Sequence, residues 1–358
     1  MSASPTTLEQ VKEALERVMT LIIRAAEQSN VTDMSLLSTG EVALRSNTFL
    51  QTSLQSWLSE DWDAALTALL GVPPWRENPP RLRALIRVIE IQRRRFRCTW
   101  ARHHRGEELA IRPLPQNILD PEELGLPAIL PQTVNTLSGG LVLICGPTGA
   151  GKSWTMASLI QNRSKVRGGK YITLENPIEF EHANTERALF QQRYIGVDVA
   201  DYATGLEEAL IQNPDCIGVQ ELRDRASAET ALSAALTGHL VLATIHAHDA
   251  ASAPERFASL LDVTIGQKSS AMQTLSLALE MIVAMRLLPG HQGLVPVFDI
   301  LTLRESPTSM KRVPKLMSMI ANAQSTALRN EQLTGRERGM ITFEQSIQNR
   351  ITEGLLLI

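Results

Sequence analysis

Cysteine is scarce. Three residues in 358, Cys98, Cys145 and Cys216, lie far apart, each inside an apolar run. That usage excludes a disulfide framework and a Cys-x-x-Cys zinc site, and it fits a reducing compartment. No charged stretch followed by an apolar segment opens the chain, so no secretory signal is expected. Long hydrophobic runs are also missing. The most apolar late stretch, Leu275 to Met285, is broken by Glu280 and too short to span a bilayer. The expectation is a cytoplasmic protein, peripheral to a membrane at most. Nor is there an excess of one charge: 35 Lys and Arg stand against 38 Asp and Glu, a net of −3. Nothing global therefore points to nucleic acid, although local patches are compatible with that balance. Internal repeats and low-complexity segments are absent, and no Asn-Lys-x-Asp motif reads a guanine base. What is present is ordinary globular composition, 44% hydrophobic and 20% charged, in a chain long enough for two domains with separate cores.

The most informative stretch is Gly146-Pro147-Thr148-Gly149-Ala150-Gly151-Lys152-Ser153. It follows the apolar run Leu141-Val142-Leu143-Ile144-Cys145 and leads into a helical pattern from Trp154. Strand, glycine-rich loop and helix together make a phosphate cradle. The glycines let backbone N–H groups close around phosphate oxygens, and the helix N-terminus favours the anion. Lys152 is expected at the β- and γ-phosphates and Ser153 at Mg²⁺. The chain is expected to bind a nucleoside triphosphate.

Before this loop, Thr6 and Glu9 have capping-box spacing for a helix through Ile22. Val31 to Ser46 reads as short strands around a turn at Gly40, Phe49 to Leu70 as helical, and Arg81 to Ile91 as amphipathic again. Phe96, Cys98 and Trp100 alternate with Arg95, Arg97 and Thr99, giving a strand with an apolar and a basic face; Leu109 and Ile111 return opposite Ala110 and Arg112. These arginines read as a solvated sheet face, as ligands of triphosphate oxygens on a neighbouring subunit, or as a nucleic-acid patch. Five prolines between 113 and 131 mark an interdomain linker, within which Asp120 to Gly125 reads as a one-turn helix. The expected division is a first domain at 1–112, a linker at 113–135 and a core at 136–358.

After Gly140, short apolar strands alternate with helices, which implies a parallel sheet covered on both faces. Tyr171 to Leu174 delivers Glu175. Thr204 and Glu207 cap a helix. Cys216 to Val219 delivers Gln220 and Glu221, and Leu240 to Ile245 delivers His246. From Ala253 the pattern is mostly helical, with a strand possible at Leu294 to Ile300. Ligands of open α/β sheets sit at the carboxyl ends of strands. Hydrolysis of ATP needs one carboxylate for the attacking water, another to organise Mg²⁺, and a sensor of the γ-phosphate. Glu175 and Glu221 are the carboxylate candidates, and His246, with His239 one strand-length earlier, suits the sensor. The alternatives are a capping or linker acid, a surface acid and a core histidine. His182 and His248 read as bystanders.

With these residues assembled, the chain resembles the secretion ATPases of type II secretion, type IV pili and type IV secretion, above all the PilT-type ATPases and their DotB- and TraJ-like relatives. The resemblance rests on Pro121 to Pro127, the Walker A loop with Trp154 after it, Glu175-Asn176-Pro177-Ile178-Glu179-Phe180 as an Asp box, Glu221-Leu222-Arg223-Asp224 as a Walker B end, and Thr237 through His246 as a His box. Thr342 to Ser346 and Glu353-Gly354 fit the tail; Val31 to Ser35 and Arg95 to Arg97 fit a PAS-like N-terminal domain. The resemblance implies an α/β fold: a RecA-like P-loop core, a smaller α+β domain before it and a helical C-terminal region. It also implies a homo-hexamer that hydrolyses MgATP between subunits at the cytoplasmic face of the inner membrane. There it would work with a platform protein and bind no nucleic acid stably. Glu175 would be the base, Glu221 the Walker B acid and Mg²⁺ organiser, and Arg97 and Arg112 would stabilise phosphate.

The chain departs from the family pattern at Asn176, Trp154, Gln220 and Ala247-His248, and lacks an Ala-Ile-Arg-Asn motif near Pro307 to Ile320. The last departure points away from pilus retraction and toward conjugation or effector secretion. Two other functions compete with a motor: a slowly hydrolysing regulatory switch, and a ring translocase acting directly on DNA.

Overall fold

The computed structural model describes residues 31–46, 50–54, 84–261, 265–291 and 293–356, with scattered helical positions between 16 and 25 and between 62 and 70. The capping box at Thr6 and Glu9 lies outside the described residues. The chain divides into two compact units, 1–117 and 118–358.

The first unit is built on six strands: β1 (Val31–Leu37), β2 (Glu41–Ser46), β3 (Leu50–Leu54), β4 (Ala84–Ile91), β5 (Arg94–His103) and β6 (Gly106–Pro113). They pair antiparallel in the order β3-β2-β1-β6-β5-β4. The alternation along β5 buries Phe96, Cys98 and Trp100 against Met34, Leu36, Leu109 and Ile111. The stretch expected as helix from Phe49 begins as strand, and the amphipathic stretch from Arg81 to Ile91 ends as one. Leu50–Leu54 pairs with β2, and Ala84–Ile91 takes the free edge of β5. In both, pairing to a neighbouring strand outweighs the helical spacing of the apolar residues.

The second unit carries α1 (Ile129–Thr136), β7 (Gly140–Cys145), α2 (Lys152–Arg167), β8 (Gly169–Glu175), β9 (Ala188–Tyr194), α3 (Tyr202–Leu210), β10 (Cys216–Val219), α4 (Arg225–Leu236), β11 (Leu240–Ile245), α5 (Ala253–Leu260) and α6 (Ile265–Ala278). Then follow the hairpin β12 (Leu279–Gly290) and β13 (Gly293–Thr302), and helices α7 (Pro314–Ala321), α8 (Ser325–Thr334) and α9 (Phe343–Thr352). The sheet order is β13-β12-β7-β11-β10-β8-β9, all parallel except the edge strand β13. Every residue of β7 is buried. Leu141, Leu143 and Cys145 face one core with Leu206, Leu232 and Phe257. Val142 and Ile144 face the other, with Val134, Leu159 and Ile160. This two-sided burial is why the central strands read as continuous apolar runs.

The unit boundary at Asn117 assigns 118–135 to the second unit rather than to a linker. Asp120 to Gly125 forms a turn there, with Leu124 N–H donating to the Asp120 carbonyl at 3.1 Å. Helix α3 starts three residues earlier than expected, because Asp201 rather than Thr204 is its cap, the Asp201 side chain accepting from Thr204 N–H. From Ala253 helices α5 to α9 follow the helical expectation and the strand expected at Leu294 to Ile300 lies within β13, but β12 departs from it. Helix α6 stops at Ala278, and the chain continues as a long hairpin whose first strand pairs with β7.

Among the described residues, no helix is long and apolar enough to cross a membrane.

Candidate active site

Each parallel strand from β7 to β8 ends at the same edge of the sheet, and each hands over a candidate residue. After β7, the loop turns through positive φ at Gly146 (151°), Gly149 (78°) and Gly151 (96°) before α2 begins at Lys152. A Cβ at Gly146 would lie 2.5 Å from the Met285 carbonyl of β12, and one at Gly151 3.1 Å from the Met285 side chain. Gly149, by contrast, faces open space. The loop is thus pressed onto β12 on one side and open on the other, a shape that fits a phosphate chain over a helix N-terminus. Gly146→Ala therefore has no room without moving the loop. Titration with ADP is expected to show at least a tenfold loss of affinity, and unchanged affinity would contradict this packing account.

Lys152 donates to the loop's own carbonyls, Gly146 at 2.8 Å and Pro147 at 2.9 Å. Burial lowers its pKa, and the charge of Glu221 works against that shift. A phosphate oxygen offers the ammonium a stronger, charged acceptor than these carbonyls. Ser153 follows it at the start of α2. The Trp154 ring packs edge-on against Phe180, centroids 4.7 Å apart, joining α2 to the loop after Glu175 and leaving its backbone N–H in the first turn of α2, beside the loop.

Glu175 ends β8 and is only 5% exposed. Its Oε1 accepts from Thr173 Oγ1 at 2.6 Å and Gln192 Nε2 at 3.0 Å, and the Glu179 backbone N–H donates to the carboxylate as well. Burial raises its pKa, and these donors oppose the rise. Thr173 was legible, since residues two apart share a face of a strand. Gln192 was not, because β9 was not foreseen. Its amide is fixed at both ends: Nε2 also donates to the Phe180 carbonyl at 2.7 Å, and Oε1 accepts from His182 N–H at 2.8 Å. His182 stacks on Phe190, its Nδ1 2.8 Å from Gln161, and burial holds its pKa down at about 4. A neutral, packed ring suits a bystander.

Glu221 lies just beyond β10. Its Oε1 is 3.1 Å from His246 Nε2 and its Oε2 2.8 Å from the Arg223 guanidinium. Glu221 and His246, expected from neighbouring strand ends, are therefore in direct contact. His239 sits at the opposite, amino end of β11 and does not join them. Arg223 belongs to the expected Walker B end, whereas nothing in the sequence pattern set Tyr202 near these charges. The Tyr202 phenol is buried and feels the charges of Arg223, Glu221 and Glu175, and burial pushes its pKa up to about 12.

Arg97 and Arg112 lie in the first unit, directly opposite each other on β5 and β6. The Arg112 guanidinium pairs with Asp33 at 2.7 Å.

Comparison with known proteins places this geometry. The family model described as Type II/IV secretion system protein matches residues 78–344. The uncharacterized protein YggR of Escherichia coli K12 is 35% identical over 304 residues, covering 85% of this chain and 86% of that protein. The type IV pilus retraction ATPase PilT of Pseudomonas aeruginosa PAO1 is 30% identical over 263 residues, 73% of each. Among solved structures, the pilus retraction motor PilT with bound ADP aligns over 95% of this chain and 94% of that one, with a TM-score of 0.79 and 26% identity.

Proposed function

The chain belongs to the type II/IV secretion system protein family and is an ATPase of pilus or secretion machinery, and we propose that it works there as a homo-hexameric motor driven by MgATP. The observation that carries this is the row of strand ends: phosphate loop, Glu175, Glu221 and His246 along one edge of the sheet. In this reading Lys152 exchanges its loop carbonyls for the β- and γ-phosphates. Glu175, held by three donors, orients the attacking water and takes its proton. Mg²⁺, held through Ser153 and Glu221, would supply positive charge against the triphosphate. His246 stands on Glu221 and senses whether the γ-phosphate is present.

Arg97 and Arg112 are proposed to reach phosphate on a neighbouring subunit, which makes the hexamer a condition of turnover. Asp33 would have to release Arg112 for that step. The proposed location is the cytoplasmic face of the inner membrane, against a platform protein, in a conjugation or effector-secretion apparatus. The absence of an Ala-Ile-Arg-Asn motif is the sequence feature that favours these over retraction.

Light scattering with ADP, alongside steady-state phosphate release, tests the proposal. A six-chain particle that turns over repeatedly is expected, with activity per chain rising with concentration as rings form. Equal activity from a stable monomer would sink the shared-site model.

A further inference from the structure

Gln220 stands between β10 and Glu221, and all four of its polar groups are used. Its N–H donates to the Leu174 carbonyl at 3.0 Å, prolonging the β8–β10 ladder by one rung. Its carbonyl accepts from Thr244 Oγ1 on β11. Its side chain then reaches past the point where the two strands part. Oε1 accepts from Asn176 N–H at 2.5 Å, and Nε2 donates to the Pro177 carbonyl at 3.3 Å. The carboxamide thus stands in for a peptide unit and adds a rung where the backbone of β10 has none. Only one amide orientation is possible, because the flipped one would set donor against donor and acceptor against acceptor. Through this one residue, the segment that follows Glu175 is bound to the segment that carries Glu221. The Leu222 N–H bond to the Thr244 carbonyl at 2.9 Å ties both to the strand that ends at His246.

We propose that Gln220 is a positioning residue for hydrolysis, setting the place of Glu175 relative to Glu221 and the phosphate loop. The inference rests on the reading of Glu175 as the base. A base misplaced by about 1 Å costs on the order of a hundredfold in rate while leaving the nucleotide's own contacts in place. The hydrogen bonds of Gln220 go to Leu174, Thr244, Asn176 and Pro177 and not to the phosphate loop or the Glu175 carboxylate, so its loss falls on kcat rather than on nucleotide affinity.

The test uses Gln220→Met, which keeps length and volume but removes both side-chain bonds, and Gln220→Glu, which keeps the acceptor and adds a charge beside two carboxylates. Steady-state ATPase, ADP affinity and particle mass are measured for each beside wild type and Glu175→Gln. Expected for Gln220→Met is a tenfold or greater fall in kcat, with KM and ADP affinity within twofold and particle mass unchanged. Expected for Gln220→Glu is a similar fall at neutral pH that recovers at higher pH, because the added charge raises the pKa of the neighbouring base. Should Gln220→Met fail to fold, Gln220→Asn, whose shorter amide cannot span to both Asn176 and Pro177, is read by the same kcat, KM and ADP-affinity criteria. The proposal is overturned if Gln220→Met keeps wild-type kcat while Glu175→Gln is inactive, or loses affinity in step with rate, or if the Gln220→Glu profile is that of wild type. If Glu175→Gln itself retains full activity, it is the reading of the base that fails.

Discussion

Replacing Glu175 by glutamine should abolish most turnover and leave nucleotide binding and assembly intact. The amide keeps the size and shape of the side chain, and it can still accept at Oε1 from Thr173 and Gln192. What it cannot do is take a proton. Loss of a positioned general base costs about 10²–10⁴-fold in rate. Single-turnover phosphate release reads this directly, and a fall of less than tenfold would remove Glu175 from the role.

The same substitution should not destabilise the protein. Burial holds the folded-state pKa of Glu175 above its ordinary value. For such a carboxyl, the favourable contribution is present below the unfolded-state pKa and lost as pH rises through the folded one. At neutral pH the ionised carboxylate is thus a burden on the fold, and the neutral amide removes it. Glu175→Gln is expected to melt at or above the wild-type temperature while being inactive, the signature of strain kept for function. Wild-type activity should have an acid limb above the usual carboxylate range, because protonation of Glu175 disables the base. An acid limb at the ordinary glutamate pKa would show that the active base is a different, exposed carboxylate.

The second large effect is on stability. Arg304 and Glu280 are 4% and 6% exposed, and Arg304 Nε meets Glu280 Oε2 at 2.5 Å. Arg304 also donates to the Met310 carbonyl, while Arg312 stands 3.7 Å from Glu280 Oε1. Arg304→Met strands a buried carboxylate, a change that costs about 3–5 kcal/mol when no other cation is near. Arg312 tempers this, so the lower end of that range is expected. Thermal melting of the full chain is the measurement, read at the transition of the second unit, since two units need not melt together. The deficit depends on pH. Burial raises the pKa of Glu280, with Arg312 and Arg304 opposing, and removing Arg304 raises it further. Below the ordinary glutamate pKa the carboxyl is neutral in both states and the penalty is small; it grows as pH rises through the folded pKa. Adding Glu280→Leu to Arg304→Met should restore most of the loss. If the double variant is no better than the single one, packing and not the stranded charge is responsible.

This ion cluster also explains the clearest misreading of the sequence. Leu275 to Met285 carries no helix-breaking residue, and its apolar character suits a buried helix as well as a strand. The chain changes at Ala278 because Arg312, far along the sequence, donates to the carbonyls of Ser276, Leu277 and Leu279 and so closes the end of α6. Beyond it, β7 offers an unpaired edge, which β12 takes. Neither partner is local, so no window of the sequence contains the reason. The same holds for Ala84–Ile91, whose strand character comes from pairing with β5.

At the site, local and non-local information divide in the same way. The phosphate loop could be read from residues 141–154 alone, because strand, positive-φ glycines and helix start are contiguous and each demands particular residues. Glu175, Glu221 and His246 were legible as strand-end residues, since parallel order sends every carboxyl end to one edge. The sequence by itself thus determined the cradle, the anionic chemistry of what it holds and the three candidate side chains at the neighbouring strand ends. Only the tertiary structure decided their relations: Glu221 against His246 and Arg223, Glu175 held by Gln192, Gln220 bridging the two segments, Trp154 turned onto Phe180. Residue type and periodicity depend on a few neighbours along the chain, whereas these contacts, Glu221 with Arg223 excepted, join positions 17 to 44 residues apart, and they exist only once the strands have paired.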